Sequence, residues 1–171
     1  MKFQEWFDKK LIVGAFPYKV NTRFDPDGID IVINVSDEWY LTFENMIAEK
    51  FIKNYWFPMN ECKKDIGLNS IYGAMVILDL AEKRNLTVYL HCHAGVNRSQ
   101  IVRAAYFFMR TNRQLETDRQ GFINQMVAAC SRGYLPPKAE MESFLGNVAS
   151  NIKNMQGGIL DLSKINAVNN F

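Results

Sequence analysis

The residues best suited to chemistry stand together at positions 91–99: His91, Cys92, His93, Ala94, Gly95, Val96, Asn97, Arg98 and Ser99. A cysteine, five residues, an arginine and a hydroxyl give the pattern Cys92-x5-Arg98-Ser99. The segment lies between an apolar run and a stretch with helical apolar spacing. A tight turn entering a helix can aim several backbone N–H groups at one point. Together with the helix amino end they make a cradle for an anion. Gly95 gives such a turn its backbone freedom. Inside the cradle the N–H dipoles would hold Cys92 as thiolate, the nucleophilic form. Arg98 carries a planar fork of donors that matches two phosphate oxygens, with its strongest grip in the transition state. Ser99 can donate a hydrogen bond to the sulfur and ease its later departure. The pattern therefore predicts displacement at phosphorus, with the phosphate seated on His93, Ala94, Gly95, Val96, Asn97 and Arg98. A metal site from His91, Cys92 and His93 is disfavoured, because adjacent side chains rarely converge on one ion and the chain has no further histidine. No metal or organic cofactor is expected.

These residues need elements to position them. LTVYLH (86–91) reads as a buried strand, and a helix is expected from Arg98 to about 113, with Ile101, Ala104, Ala105, Phe108 and Met109 on one face. Upstream, LIVGAFP (11–17), IDIVINV (29–35) and NYWFPM (54–59) read as strands, with a turn at 21–28 and a polar loop at 60–69. Ile71, Ala74, Met75, Leu78 and Ala81 recur at helical spacing, with Asn69 or Ser70 as cap. Weaker helical patterns cover 43–51, 117–131 and 138–152. Strands alternate with helices, so the expected class is α/β: a mostly parallel central sheet of four to five strands, with helices on both faces.

At 171 residues and 48% hydrophobic composition, the chain suits one domain with a sizeable core. The expected division is a domain at 1–152 and a tail at 153–171. Charged residues at 22% argue against disorder, and a net charge of +2 is too small to imply nucleic-acid binding. The cysteines Cys62, Cys92 and Cys130 are widely spaced and odd in number, so no disulfide framework is expected and a reducing compartment is. No apolar run approaches the roughly 18 residues that span a membrane, and the opening segment lacks the apolar stretch of a signal peptide. The expected location is cytoplasmic.

HCHAGVNRS resembles the signature of the protein tyrosine phosphatase superfamily: His-Cys, five residues, Arg, then Ser or Thr. The likeness is greatest to the small dual-specificity phosphatases, including the poxvirus type, whose loop also reads AGVNRS. GIDIVINVSDE (28–38), YWFPMNE (55–61) and RGYLPPKAEMESFL (132–145) are similar to further family segments, so the resemblance spans roughly 10–150. It implies a phosphatase with a phosphocysteine intermediate on Cys92. Phosphorylated proteins would be its substrates, on tyrosine and on serine or threonine. It also implies that buried His91 orients the loop.

The family commonly takes its general acid from an Asp in a mobile loop some 30 residues before the cysteine. Here that stretch reads FPMNECKKDIG, with Glu61 or Asp65 available and neither a direct match. Cys62 in the same loop is either a half-buried thiol or a partner for Cys92 under oxidation. Three readings stay open beside the protein phosphatase: an RNA 5′-triphosphatase, a phosphoinositide phosphatase and a phosphoprotein-binding domain without turnover. Against RNA, the charge is modest, and Ala94 stands where those relatives carry His.

Overall fold

Short runs dominated by Ile, Val and Leu form three strands: β1 (Leu11–Gly14), β2 (Ile31–Asn34) and β4 (Val88–His91), while Lys53–Trp56 forms β3. The computed structural model describes residues 2–17, 24–38, 50, 52–60, 67–111, 132 and 135–154. Its strands pair in parallel, in the order β1-β4-β2-β3. β2 and β4 lie in the middle and are buried throughout, which is why both are continuously apolar apart from Asn34 and His91 at their ends. β3 is an edge strand, and its mixed sequence with exposed Lys53 and Trp56 fits that place.

The described helices are α1 (Phe3–Lys9), α2 (Leu68–Lys83), α3 (Arg98–Arg110) and α4 (Lys138–Asn154). Their apolar side chains join Leu11, Ile31, Ile33, Val88 and Leu90 in one core. These are the odd positions of β1 and β2 and the even positions of β4, so they share one face of the sheet. Ile12, Val32 and Tyr89 point the other way and pack with Phe16, Phe24, Ile29 and Ile52. α3 carries an unusually long buried set, from Ile101 through Met109, and runs through the middle of the helical layer. Each large side chain so buried contributes roughly 1.5–3 kcal/mol, enough to fix where this helix begins relative to the sheet.

The α/β class and the parallel sheet are as the sequence implies; among the described elements strand and helix alternate from β3 through α3, the described helices pack on one face of the sheet where both faces were expected to carry them, and several boundaries shift. β1 stops at Gly14, β2 spans 31–34, β3 spans 53–56 and β4 spans 88–91. α3 closes at Arg110, where the Thr111 hydroxyl bonds back to the Phe107 carbonyl at 2.9 Å. α2 starts at Leu68, so Asn69 and Ser70 lie inside its first turn and neither caps it; the Ser70 hydroxyl instead bonds the Pro58 carbonyl at 2.7 Å. α1 is a helix that the apolar spacing of the sequence does not mark. Phe3, Trp6 and Phe7 form its inner face, and Trp6 Nε1 donates to the Leu86 carbonyl at 2.8 Å. The helical patterns at 43–51 and 117–131 and most of the 153–171 tail lie outside the described residues.

The register sets up the site. Gly14, His91, Asn34 and Trp56 stand side by side across the sheet at the carboxyl ends of the four strands. The segments that follow them, at 15–17, 92–97, 35–38 and 57–60, therefore meet above one edge. In open parallel sheets that edge is where ligands bind.

Candidate active site

Residues 92–97 join the carboxyl end of β4 to the amino end of α3. The loop is backed by the neighbouring strand ends. Phe16 N–H donates to the His93 carbonyl at 3.0 Å, and Val35 N–H donates to the His91 carbonyl at 2.8 Å. Gly95 adopts φ +73°, and a Cβ there would lie 2.5 Å from the Gly14 carbonyl carbon. Only glycine meets both demands, left-handed backbone and a bare flank against β1. Gln100, from the first turn of α3, donates to the Gly95 carbonyl at 3.2 Å and ties the turn to the helix.

Cys92 is 1% exposed, and its Sγ lies 3.4 Å from the Ser99 Oγ. A wholly buried hydroxyl at that distance has the sulfur as its natural partner. His91, on the other side of Cys92 in sequence, is fully buried between the rings of Phe16 and Tyr89. Its Nδ1 lies 3.3 Å from the Cys92 carbonyl. A carbonyl only accepts, so Nδ1 carries the proton in that contact. Burial pushes the imidazole down to about 4, against the opposing pull of that carbonyl, so the ring is neutral at ordinary pH. Burial, and then the charge of Cys92, push the Tyr89 hydroxyl up to about 12. It stays protonated and donates to the Ala15 carbonyl at 2.7 Å.

Arg98 is 5% exposed, a guanidinium that must find partners inside the protein. Its Nη1 donates to Asp37 Oδ1 at 2.5 Å and to the Met59 carbonyl at 2.9 Å, and its Nη2 lies 3.7 Å from Glu38 Oε2. Glu38 Oε1 in turn lies 3.3 Å from His93 Nδ1. The loop after β2 thus meets the Cys92 loop through two carboxylates. Asn34 and Ser36 shape it: the buried Asn34 side chain accepts from Ser36 N–H at 2.8 Å and donates to the Glu38 carbonyl at 3.2 Å.

Cys92, His93, Ala94, Gly95, Val96 and Asn97 stand on the loop that the sequence pattern marks, and Arg98 and Ser99 on the first turn of α3 that it enters. Ala94 and Val96 face solvent, and Val96 is 66% exposed. Glu61 and Asp65, with Cys62 between them, lie outside the described residues. Asp37, Glu38 and the Met59 carbonyl are the site's additional groups. The segment GIDIVINVSDE contains both acids, but nothing in their spacing marks a role; only the register of β2 against β4 brings them to Arg98.

A loop of this kind, at the carboxyl edge of a parallel sheet and leading into a buried helix, places the chain in the cysteine-dependent tyrosine phosphatase superfamily. Within it, the chain belongs to the dual-specificity phosphatase family: the family model described as "Dual specificity phosphatase, catalytic domain" matches residues 11–128. No curated protein matches the chain in sequence. Among solved structures it is similar in fold to DUSP15, with 14% identity, 86% of this chain and 93% of that one covered, and a TM-score of 0.55. It is likewise similar to PTPMT1 in a complex with PI(5)P, with 15% identity, 88% and 97% covered, and a TM-score of 0.54. Among the described residues no helix is long and apolar enough to cross a membrane.

Proposed function

We propose that this phosphatase hydrolyses phosphate monoesters on proteins, on tyrosine and on serine or threonine, through a phosphocysteine intermediate on Cys92. The substrate phosphate rests on the backbone of residues 93–98 and is held by the Arg98 fork. Cys92 thiolate attacks phosphorus in line as the ester oxygen leaves. Glu61 or Asp65 protonates that oxygen and then serves as base for the water that releases phosphate. Ser99 donates to the sulfur as the P–S bond breaks. His91 stays neutral and holds the loop by its Nδ1–H.

The observation that carries this reading is the 3.4 Å contact between Cys92 Sγ and Ser99 Oγ on the loop that also bears Arg98. Protein monoesters are favoured over polyanionic substrates by Asp37 and Glu38. Two carboxylates beside the one guanidinium of the loop repel a second phosphate, whether on a triphosphate end or on a polyphosphorylated inositol. The exposed Val96 offers apolar contact to an aryl ring.

The test is a substrate panel run on wild type and Cys92→Ser: phosphotyrosine and phosphothreonine peptides, triphosphate-ended RNA, and phosphatidylinositol phosphates including PI(5)P. Cys92-dependent turnover should be fastest on the peptides. Faster turnover of RNA or lipid would replace the protein substrate while keeping the chemistry. Tight peptide binding with no turnover by wild type would mean a binding domain.

A further inference from the structure

The proposed chemistry uses His93 only through its backbone, yet its ring is set at the rim of the phosphate seat in a definite way. Of the other side chains on that stretch of loop, Ala94 and Val96 are exposed and apolar, and Asn97 keeps its Oδ1 closed to solvent. The His93 side chain is 36% exposed, but its Nδ1 is closed to solvent and lies 3.3 Å from Glu38 Oε1. The exposure therefore belongs to the opposite edge of the ring, which carries Nε2. Glu38 is placed before any substrate arrives: its carbonyl accepts from the Asn34 side chain at 3.2 Å and lies 3.0 Å from the Ser36 Oγ. The His93 carbonyl, for its part, accepts from Phe16 N–H at 3.0 Å.

A carboxylate accepts hydrogen bonds and donates none, so Glu38 draws the imidazole proton to Nδ1. With the proton there, the uncharged ring turns a lone pair outward at Nε2. The group that can meet it is a donor. A phosphate dianion and an aryl ring have none to offer. A polypeptide has one at every residue except proline, in its main-chain N–H groups.

We propose that the His93 ring is a specificity-determining contact: held by Glu38 at Nδ1, it accepts at Nε2 a hydrogen bond from a main-chain N–H of the substrate, close to the phosphorylated residue. This rests on the reading above that the substrate is a phosphorylated protein. The contact selects a polypeptide without selecting its side chains, so tyrosine, serine and threonine esters all satisfy it.

The test is a cycle that removes each half of the contact in turn. Phosphotyrosine peptides are made in which one backbone N–H at a time, from two residues before the phosphorylated one to two after it, is replaced by an ester oxygen. Each is assayed at about pH 8, above the ordinary imidazole range, with wild type, His93→Ala and His93→Phe, the last keeping an aromatic ring without the acceptor. The ratio of amide to ester peptide is read within each protein, so a general loss of activity or stability in a variant cancels. At one position the ester should lower kcat/KM about 10-fold with wild type and less than about twofold with either variant. Equal ratios in the three proteins at every position, or an ester penalty that persists in His93→Phe, overturn the contact, while Cys92-dependent turnover of the all-amide peptide by wild type leaves the phosphatase reading standing. If wild type turns over no phosphopeptide, the protein substrate and the contact fall together.

Discussion

His91 should make the fold acid-sensitive in a window that can be worked out from its surroundings. The ring has no exposed surface and is held down to about 4 by burial, whereas in the unfolded chain it titrates near 6.5. Above about pH 6.5 the ring is neutral in both states, so its contribution to stability is fully present. As the pH falls the unfolded chain takes up the proton first, and stability is lost until the folded ring titrates near 4. That gap is worth about 3 kcal/mol in full, and about 2 kcal/mol of it is gone by about pH 5. Glu82 acts in the same direction but further down. Burial raises its carboxyl, yet hydrogen bonds from Arg110 and Tyr106 outweigh that, leaving it below its ordinary 4.5. Its contribution is lost only as the pH falls below that range, and it is common to wild type and variant. The assay is urea unfolding at about pH 8, 6.5 and 5 for wild type and His91→Gln. Wild type should lose about 2 kcal/mol more than the variant between the two ends. Parallel pH curves for the two proteins would refute the reasoning, because they would mean that the imidazole takes its proton as readily inside the fold as outside it.

Three further outcomes are expected. Gly95→Ala, forced into φ +73° against the Gly14 backbone, should cost roughly 1–3 kcal/mol of strain and abolish phosphate binding measured by calorimetry; wild-type affinity would mean that the turn relaxes freely. Ser99→Ala should slow hydrolysis of the intermediate more than its formation, so a stopped-flow burst of aryl alcohol should grow relative to the steady rate, and an unchanged ratio would remove Ser99 from that step. Glu61→Gln and Asp65→Asn separate the two candidate acids: loss of the true one should flatten the alkaline limb of the pH–rate profile on an alkyl phosphate and leave a good aryl leaving group less affected.

Much of the molecule was legible because its signals are local. The Cys92-x5-Arg98-Ser99 spacing, the flanking apolar strand and the buried periodicity of α3 all agree, and the fold places them as that agreement requires. α1 was not, since its seven residues span two turns and its apolar set of Phe3, Trp6 and Phe7 is too short for a periodicity argument. Asn69 and Ser70 misled because cap propensity is weak against tertiary demand: the Ser70 hydroxyl is taken by the Pro58 carbonyl. Asp37 and Glu38 were invisible as site residues for a different reason. Asp37 lies 61 residues from Arg98 along the chain, and only the pairing of Asn34 with His91 across the sheet brings the two segments together. Long-range register is what a single sequence encodes least openly.

The proposed catalysis turns on Cys92 forming a bond to phosphorus. Wild type mixed with an aryl phosphate and quenched in acid within milliseconds should carry one phosphate on the peptide containing Cys92, by mass spectrometry, and Cys92→Ser should carry none and turn nothing over. Phosphate release with Cys92 never modified, or full activity in Cys92→Ser, would contradict the account.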